Sequence, residues 1–471
     1  MSVATSAGEL ARGRVRFTIV AMLFAVTMVN YADRATIAIA GPVMSRDLGF
    51  SALQMGFIFS AFGWSYVIGQ LPGGWLLDRF GSKIVYFCSI FIWSLVTVLQ
   101  GGVWAVGTAA AVYVLFGLRF LVGFAEAPSF PANGRIVAAW FPANERGTAS
   151  AIFNSAQYFA TVVFAPIMGF ITVTFGWPKV FYFMGGVGIL VSLIWLKVVH
   201  SPKDHPRIHP EELDYIERGG ALVNMDQPRE NPRITRTARD FGERGGPKTM
   251  TTQPEDRANA PHWGYLKELM QSRMMVGIYL GQFCINAITY FFITWFPVYL
   301  VQQRGMSILN AGIVASIPAI CGFTGGVLGG VWSDFLIRRG WSLTKSRKVP
   351  IVAGMLLSMT MILCNYVDAE WLVVFIMALS FFGKGVGALG WAVMSDAAPR
   401  EIAGLSCGLF NMFGNISSIT TPIIIGAIIQ STGSFNGALV FIGANALVAI
   451  LSYLFIVGDI KRLVLTKTEP A

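Results

Sequence analysis

Asp33 and Arg34 stand side by side within a long apolar stretch, and three further charges, Arg119, Glu126 and Lys384, are embedded in others. An ionised side chain near the centre of a bilayer costs about 2.5–3.5 kcal/mol on insertion scales, so a chain that keeps five of them is using them. Of 25 acidic residues only Asp33 and Glu126 fall in the interiors of such stretches, and of 35 basic ones only Arg34, Arg119 and Lys384. A group that takes up and releases a proton at membrane depth must be one of the two acids. Arginine keeps its proton at any usable pH, and His200, His205, His209 and His262 all lie outside the apolar stretches. Burial and neighbouring bases act on a carboxyl group in opposite senses. Asp33 and Glu126 are therefore the candidate proton carriers.

Three bases against two titratable acids leave a surplus of positive charge once both acids are protonated, which suits an anionic cargo. Arg34 can fork onto a carboxylate in bidentate geometry. Lys384, far along the chain, can hold a second carboxylate if it faces the same cavity, which favours a dianion over a monoanion. Arg119 and Glu126 are seven residues apart, two helical turns and roughly 10 Å along one face, and both can point into that cavity; Lys384 and Trp391 share the same spacing. Hydroxyls and amides suited to a polyol are Tyr31, Tyr66, Gln157, Asn154, Asn411 and Asn415, with Trp391 and Tyr290 as flat surfaces against a carbon chain. With the first span running outward and the fourth inward, Asp33 is expected nearer the outside and Glu126 nearer the cytoplasm.

The elements that position these residues follow from composition. The chain has 471 residues, 54% apolar and 13% charged, with a mean hydropathy of +0.60; soluble domains carry about a quarter charged residues. Twelve spans long enough to cross a bilayer are expected at about 17–41, 52–76, 84–104, 107–130, 147–171, 178–199, 274–301, 308–332, 348–367, 370–394, 403–429 and 434–457. Backbone groups in lipid must be satisfied within the segment, so each span should be helical. No cleavable signal peptide is evident, since Arg12, Arg14 and Arg16 run straight into a full span. All five cysteines fall within spans without ligand spacing, which argues against disulfides, a metal site or any other cofactor. The net charge of +10 is a topology signal: the bases gather in alternate loops, placing both termini in the cytoplasm and excluding a nucleic-acid partner. The polar stretch 201–262 reads as a cytoplasmic linker with a short amphipathic helix near Glu211–Arg218 and little other order. It divides a tail at 1–16 and a six-span bundle at 17–200 from a second bundle at 263–458 and a tail at 459–471.

The halves repeat. Gly74-Trp-Leu-Leu-Asp78-Arg79-Phe-Gly81 after the second span is echoed by Gly330-Val-Trp-Ser-Asp334 with Arg338 and Arg339 after the eighth. Pro142, Glu145, Arg146, Pro166 and Gly169 are echoed by Pro399, Glu401, Pro422 and Gly426. Internal repeats of this kind mark transporters with a central site between the repeats.

With twelve spans and a central linker, the Gly74–Lys83 loop resembles the signature of the major facilitator superfamily. That resemblance covers the whole chain. It implies an all-α membrane fold of two pseudo-symmetric six-helix bundles, with Asp78, Arg79, Asp334 and Arg338 in conformational gating. Asn30-Tyr31-Ala32-Asp33-Arg34, Tyr66 before Gln70-Leu-Pro-Gly-Gly, and Arg119 with Glu126-Ala-Pro resemble the anion:cation symporter family. Ser60–Tyr66, Phe153–Tyr158 and Phe382–Trp391 are similar to the bacterial aldarate carriers for glucarate and galactarate. What this implies is a multi-pass inner-membrane symporter, acting as a monomer, that imports an organic anion with protons. Tyr31, Arg34, Tyr66, Gln157, Trp391 and Asn411 would contact the substrate. Another organic anion, such as a sugar monocarboxylate, a hexuronate or an aromatic acid, fits the same constellation. A membrane enzyme would need a nucleophile–base pair or metal cluster at membrane depth, and a receptor or scaffold would not need five charges buried in one bundle.

Overall fold

The computed structural model describes residues 14–142, 145–224, 263–399 and 402–465. Twelve helical spans are present: α1 Val15–Leu48, α2 Ala52–Gln70, α3 Ser82–Gln100, α4 Ala110–Trp140, α5 Arg146–Phe175, α6 Trp177–Val198, α7 Arg273–Gln302, α8 Ile308–Arg338, α9 Leu343–Tyr366, α10 Glu370–Ala397, α11 Ser406–Thr432 and α12 Asn436–Ile456. Helix α2 continues beyond Gln70 to Phe80. Their number and order are those expected from hydropathy. Serine caps start several of them: Ser51 forms a reciprocal capping box with Gln54, and Ser272, Ser307 and Ser342 accept from the backbone three residues on, satisfying amides that the first turn leaves unpaired.

Uniform α-helix is not kept throughout. Span α4 breaks after Glu126, where a turn precedes the helix Ser129–Trp140. Pro128 lacks the backbone donor that would continue the hydrogen-bond ladder, while Ala127 before it keeps right-handed helical dihedrals. Its repeat partner α10 breaks at the same relative place, between Val386 and Gly390. A π-turn, Phe291–Trp295, interrupts α7 directly after Tyr290, a feature often found at functional positions.

The two halves pack by one plan. In the first, α1 lies against α5 and α6, α2 against α4, and α3 against α4 and α6. In the second, α7 lies against α11 and α12, α8 against α10, and α9 against α10 and α12. Between halves α2 runs along α11 and α5 along α8, two contacts that the repeat exchanges. At one end these pairs touch backbone to backbone: a Cβ on Gly56 would stand 2.6 Å from the Pro422 carbonyl, and one on Gly312 2.7 Å from that of Ala165. At the other end Gly74, Gly147, Gly330 and Gly408, one on each of the same four helices, would meet nothing within 4 Å. The halves are in backbone contact at the first end, and at the second these glycines meet no neighbour.

Of the expected linker, 225–262 lies outside the described residues, as do both tail ends. The helix expected near Glu211–Arg218 forms as Pro210–Arg218. It docks on the first half alone: Arg16 pairs with Glu145 at 3.1 Å and with Glu212 at 3.3 Å, Tyr215 donates to Glu145 at 2.7 Å, and the Leu222 amide donates to the Ala138 carbonyl. The carboxylate acceptor holds the Tyr215 phenol above its ordinary pKa. Burial holds His200 and His205, just beyond α6, below the usual imidazole value.

Candidate functional site

A cavity of about 770 Å³ lies between the halves. Its first-half wall is Tyr31, Arg34, Tyr66, Phe130, Ala151, Asn154, Gln157 and Tyr158, from α1, α2, α4 and α5. Its second-half wall comes from α7, α8, α10 and α11 and includes Gln282, Asn286, Thr289, Tyr290, Lys384, Trp391, Asn411 and Asn415. Ten of the residues singled out from sequence thus meet in one chamber although they span most of the chain.

Arg34 anchors the first wall. Its guanidinium sits over three rings, 4.7 Å from Tyr31, 4.5 Å from Phe62 and 5.0 Å from Tyr66, which shield the charge and fix its direction. Its Nε donates to Glu126 at 2.9 Å, a pair with both side chains buried. The carboxylate reaches Arg34 because Glu126 ends the first segment of α4, at the break before Pro128. Breaking such a buried pair by removing one partner is strongly destabilising, whereas the intact pair adds little. The contact is therefore better suited to exchange than to support.

Asp33 faces the other way. It accepts from Thr97 of α3 at 3.0 Å and lies in electrostatic range of Arg119. Neither Asp33, Glu126 nor Arg119 lines the chamber. Arg119 lies behind the wall, 5.7 Å from the Phe62 ring and within electrostatic reach of both acids. The expected shared face with Glu126 is real, but it turns toward Asp33 and not into the cavity. Arg34, next to Asp33, reaches Glu126 with its side chain.

The second wall is built differently. Lys384 is buried at 6% exposure and lies 5.3 Å from the Phe381 ring. Among the described residues it has no carboxylate within 4.0 Å. Amides surround it. Tyr290 donates to Asn415 at 3.0 Å, Asn415 donates to Asn411, and Asn411 donates to Gln70 of α2 at 3.3 Å, bridging the halves. Gln282 donates to Asn286 at 3.3 Å. Gly390 makes room for this pair, since a Cβ there would stand 2.3 Å from Gln282 Oε1. Trp391 packs edge-on to Phe410 at 4.8 Å with half its surface open. Gln157 and Asn154 each spend one amide proton on a backbone carbonyl within α5, which leaves the second proton and the side-chain oxygen of each for a ligand.

Gln282, Asn286, Thr289 and Tyr158 were not singled out from sequence. Gln282-x-x-x-Asn286 is an amide pair on one face of a span, with the same spacing as Asn411-x-x-x-Asn415.

Of the expected gating residues, Asp334, Arg338 and Arg79 have described side chains. Asp334 pairs with Arg347 of α9 at 3.5 Å, and Arg347 also binds Asp396 at 2.9 Å and Ser333 at 3.0 Å. Arg338 is exposed at the helix end, one turn past Asp334 on the same helix, whereas Arg347 approaches from the neighbouring one. Arg79 lies over the rings of Trp75 and Phe80; the Asp78 side chain lies outside what the structure describes.

Comparison with known proteins agrees with this architecture. The probable galactarate/D-glucarate transporter GudP of Escherichia coli (strain K12) is 61% identical over 96% of this chain and 95% of its own. The protein of the same description from Bacillus subtilis (strain 168) is 59% identical over 99% and 96%. A D-galactonate transporter of Escherichia coli O6:H1 is 38% identical over 96% and 97%. Among solved structures, a bacterial homolog to the human lysosomal transporter Spinster, inward-facing and unoccupied, superposes with a TM-score of 0.65 at 18% identity, over 94% of this chain and 95% of that one. The Major Facilitator Superfamily profile matches residues 23–344. Twelve spans in two like-packed halves, a chamber between them and these relatives converge: the chain belongs to the Major Facilitator Superfamily and is a multi-pass membrane transporter.

Proposed function

We propose that this transporter is a proton symporter of the bacterial inner membrane that imports a dicarboxylic sugar acid such as glucarate or galactarate by alternating access. The observation that carries this reading is the asymmetry of cations across the chamber. Arg34 is engaged by Glu126, while Lys384 opposite has no carboxylate partner among the described residues. A cargo with a carboxylate at each end and hydroxyls between completes both. Protonation of Glu126 removes its hold on Arg34, whose guanidinium then takes the first carboxylate. Lys384 takes the second, and the amides with Tyr31, Tyr66 and Trp391 read the hydroxylated chain. Arg119 balances the charge of Asp33, the second proton station, held by Thr97. Names given to relatives at 55–61% identity support the aldarate class. The lysine and arginine bias of the end opposite the backbone contacts supports a cytoplasmic position for it and for both termini. Rearrangement of the Asp334–Arg347–Asp396 cluster, with Asp78, Arg79 and Arg338, accompanies reversal of the opening. The described lining of the chamber comes from one chain, which supports the monomer as the working unit.

The test is reconstitution of the protein alone in liposomes with an imposed proton gradient. Labelled glucarate or galactarate should accumulate only with the gradient present. Asp33→Asn and Glu126→Gln should each lose accumulation and keep substrate counterflow. Undiminished accumulation by both neutral variants would end the two-station reading, and accumulation of gluconate in place of either aldarate would move the cargo to the monocarboxylates.

A further inference from the structure

Behind the cavity wall, inside the first half, a group of polar side chains is sealed from both cargo and lipid. Asn30 and Gln100 are 1% and 0% exposed. Both atoms of each amide, together with Arg119 Nε and Glu126 Oε1, have no hydrogen-bond partner among the described residues. Buried polar groups are nearly always satisfied, and leaving six such atoms unpaired in one region is costly. Their placement is linear. Gln100 stands one turn beyond Thr97 on α3, toward the end in backbone contact, and the Thr97 hydroxyl donates to Asp33. Asn30 stands one turn before Asp33 on α1. Arg119 reaches both acids electrostatically, and Glu126 follows it by two turns of α4. None of these residues lines the cargo chamber. A site of this polarity with two to four partners per position is what internal water requires.

We infer that a file of bound water runs between α1, α3 and α4, from Gln100 past Asp33 and Arg119 to Glu126, and carries protons to the second acid by a route separate from the cargo path. The inference rests on the reading of Asp33 and Glu126 as proton stations. In the transfer, the proton on the Asp33 carboxyl passes to the first water. Each water hands one proton forward, and the last gives one to the Glu126 carboxylate. Asp33 ends as the anion, Glu126 as the acid, and the waters are unchanged. The fixed charge of Arg119 beside the file disfavours a free hydronium, so the proton leaves Asp33 only when Glu126 is an anion ready to accept it. Asn30 and Gln100 are positioning residues that hold the waters in line.

The experiment uses the full chain in liposomes, comparing wild type with Gln100→Leu, Asn30→Leu and the conservative Gln100→Asn, each read by gradient-driven glucarate accumulation and by glucarate counterflow. The expected result is at least a 10-fold loss of accumulation in both leucine variants, with counterflow within 2-fold of wild type and most accumulation retained by Gln100→Asn. If wild type accumulates and both leucine variants match it, the file is overturned and the proton stations stand. If the leucine variants lose counterflow as much as accumulation, the two amides serve the fold and the file is again overturned. A wild type indifferent to the gradient removes the proton stations, and the file with them.

Discussion

The two walls of the chamber solve different problems with different chemistry. The first half holds four of the five membrane-depth charges, and they engage one another: Arg34 with Glu126 at 2.9 Å, and Asp33 with Thr97 in the field of Arg119. The second half holds Lys384, without a carboxylate partner among the described residues, within a band of amides and aromatic rings. A wall whose ions are already paired can change state when a proton arrives, because the pair competes with the cargo. A wall with one uncommitted cation and neutral hydrogen-bonding groups distinguishes one cargo from another. On the proposed reading the first half couples and the second half selects.

The largest effect should come from Arg34, which belongs to both tasks. Arg34→Gln removes the first carboxylate contact and leaves Glu126 buried without its partner, a change that costs about 3–5 kcal/mol. Gradient-driven uptake and aldarate-induced thermal stabilisation should both fall by at least 100-fold in effective affinity, and Arg34→Lys should not restore them, because a point charge cannot replace the guanidinium fork. Recovery to near wild type in the lysine variant would show that charge alone suffices. Next is Lys384→Gln, which sharpens the comparison. It should weaken glucarate by about 10- to 100-fold, in line with about 1.5–3 kcal/mol for a hydrogen bond to a charged group, and change gluconate by no more than 2- to 3-fold. Thermal shift against both acids reads this directly; equal losses would return Lys384 to a structural role. The smallest effect is expected at Gln282→Leu. Loss of one neutral amide contact, about 0.5–1.5 kcal/mol, should raise KM for the preferred aldarate up to about 10-fold, leave proton coupling intact, and alter the ranking of glucarate and galactarate. A coupling defect in this variant would break the division of labour between the halves.

Hydropathy made twelve helices legible because each span satisfies its own backbone in lipid, a requirement written locally. The five buried charges were legible for the same reason: a charge within an apolar run is expensive wherever its partner lies. Neutral amides are a weaker signal, since a membrane amide often just bonds between helices: Asn154, Gln157, Asn411 and Asn415 were singled out, whereas Gln282 and Asn286, which also line the chamber, were not. The fourth span was expected unbroken over about 107–130, and only the folded chain shows the break after Glu126 and the contact of that residue with Arg34.

Residue order alone therefore determined the number of spans, the division into two related halves, the identity of the charges at membrane depth and the family resemblance. Tertiary structure decided which charge meets which. Arg34 and Glu126 are 92 positions apart, and Asp334 is met by Arg347 of the neighbouring helix. It also decided that Arg119 turns away from the chamber while Lys384 opens onto it. Pairing of this kind depends on how helices rotate and cross, set by close backbone contacts such as Gly56 on Pro422 and Gly312 on Ala165. Those contacts involve residues distant in the chain, whose side chains leave no local trace of their partners.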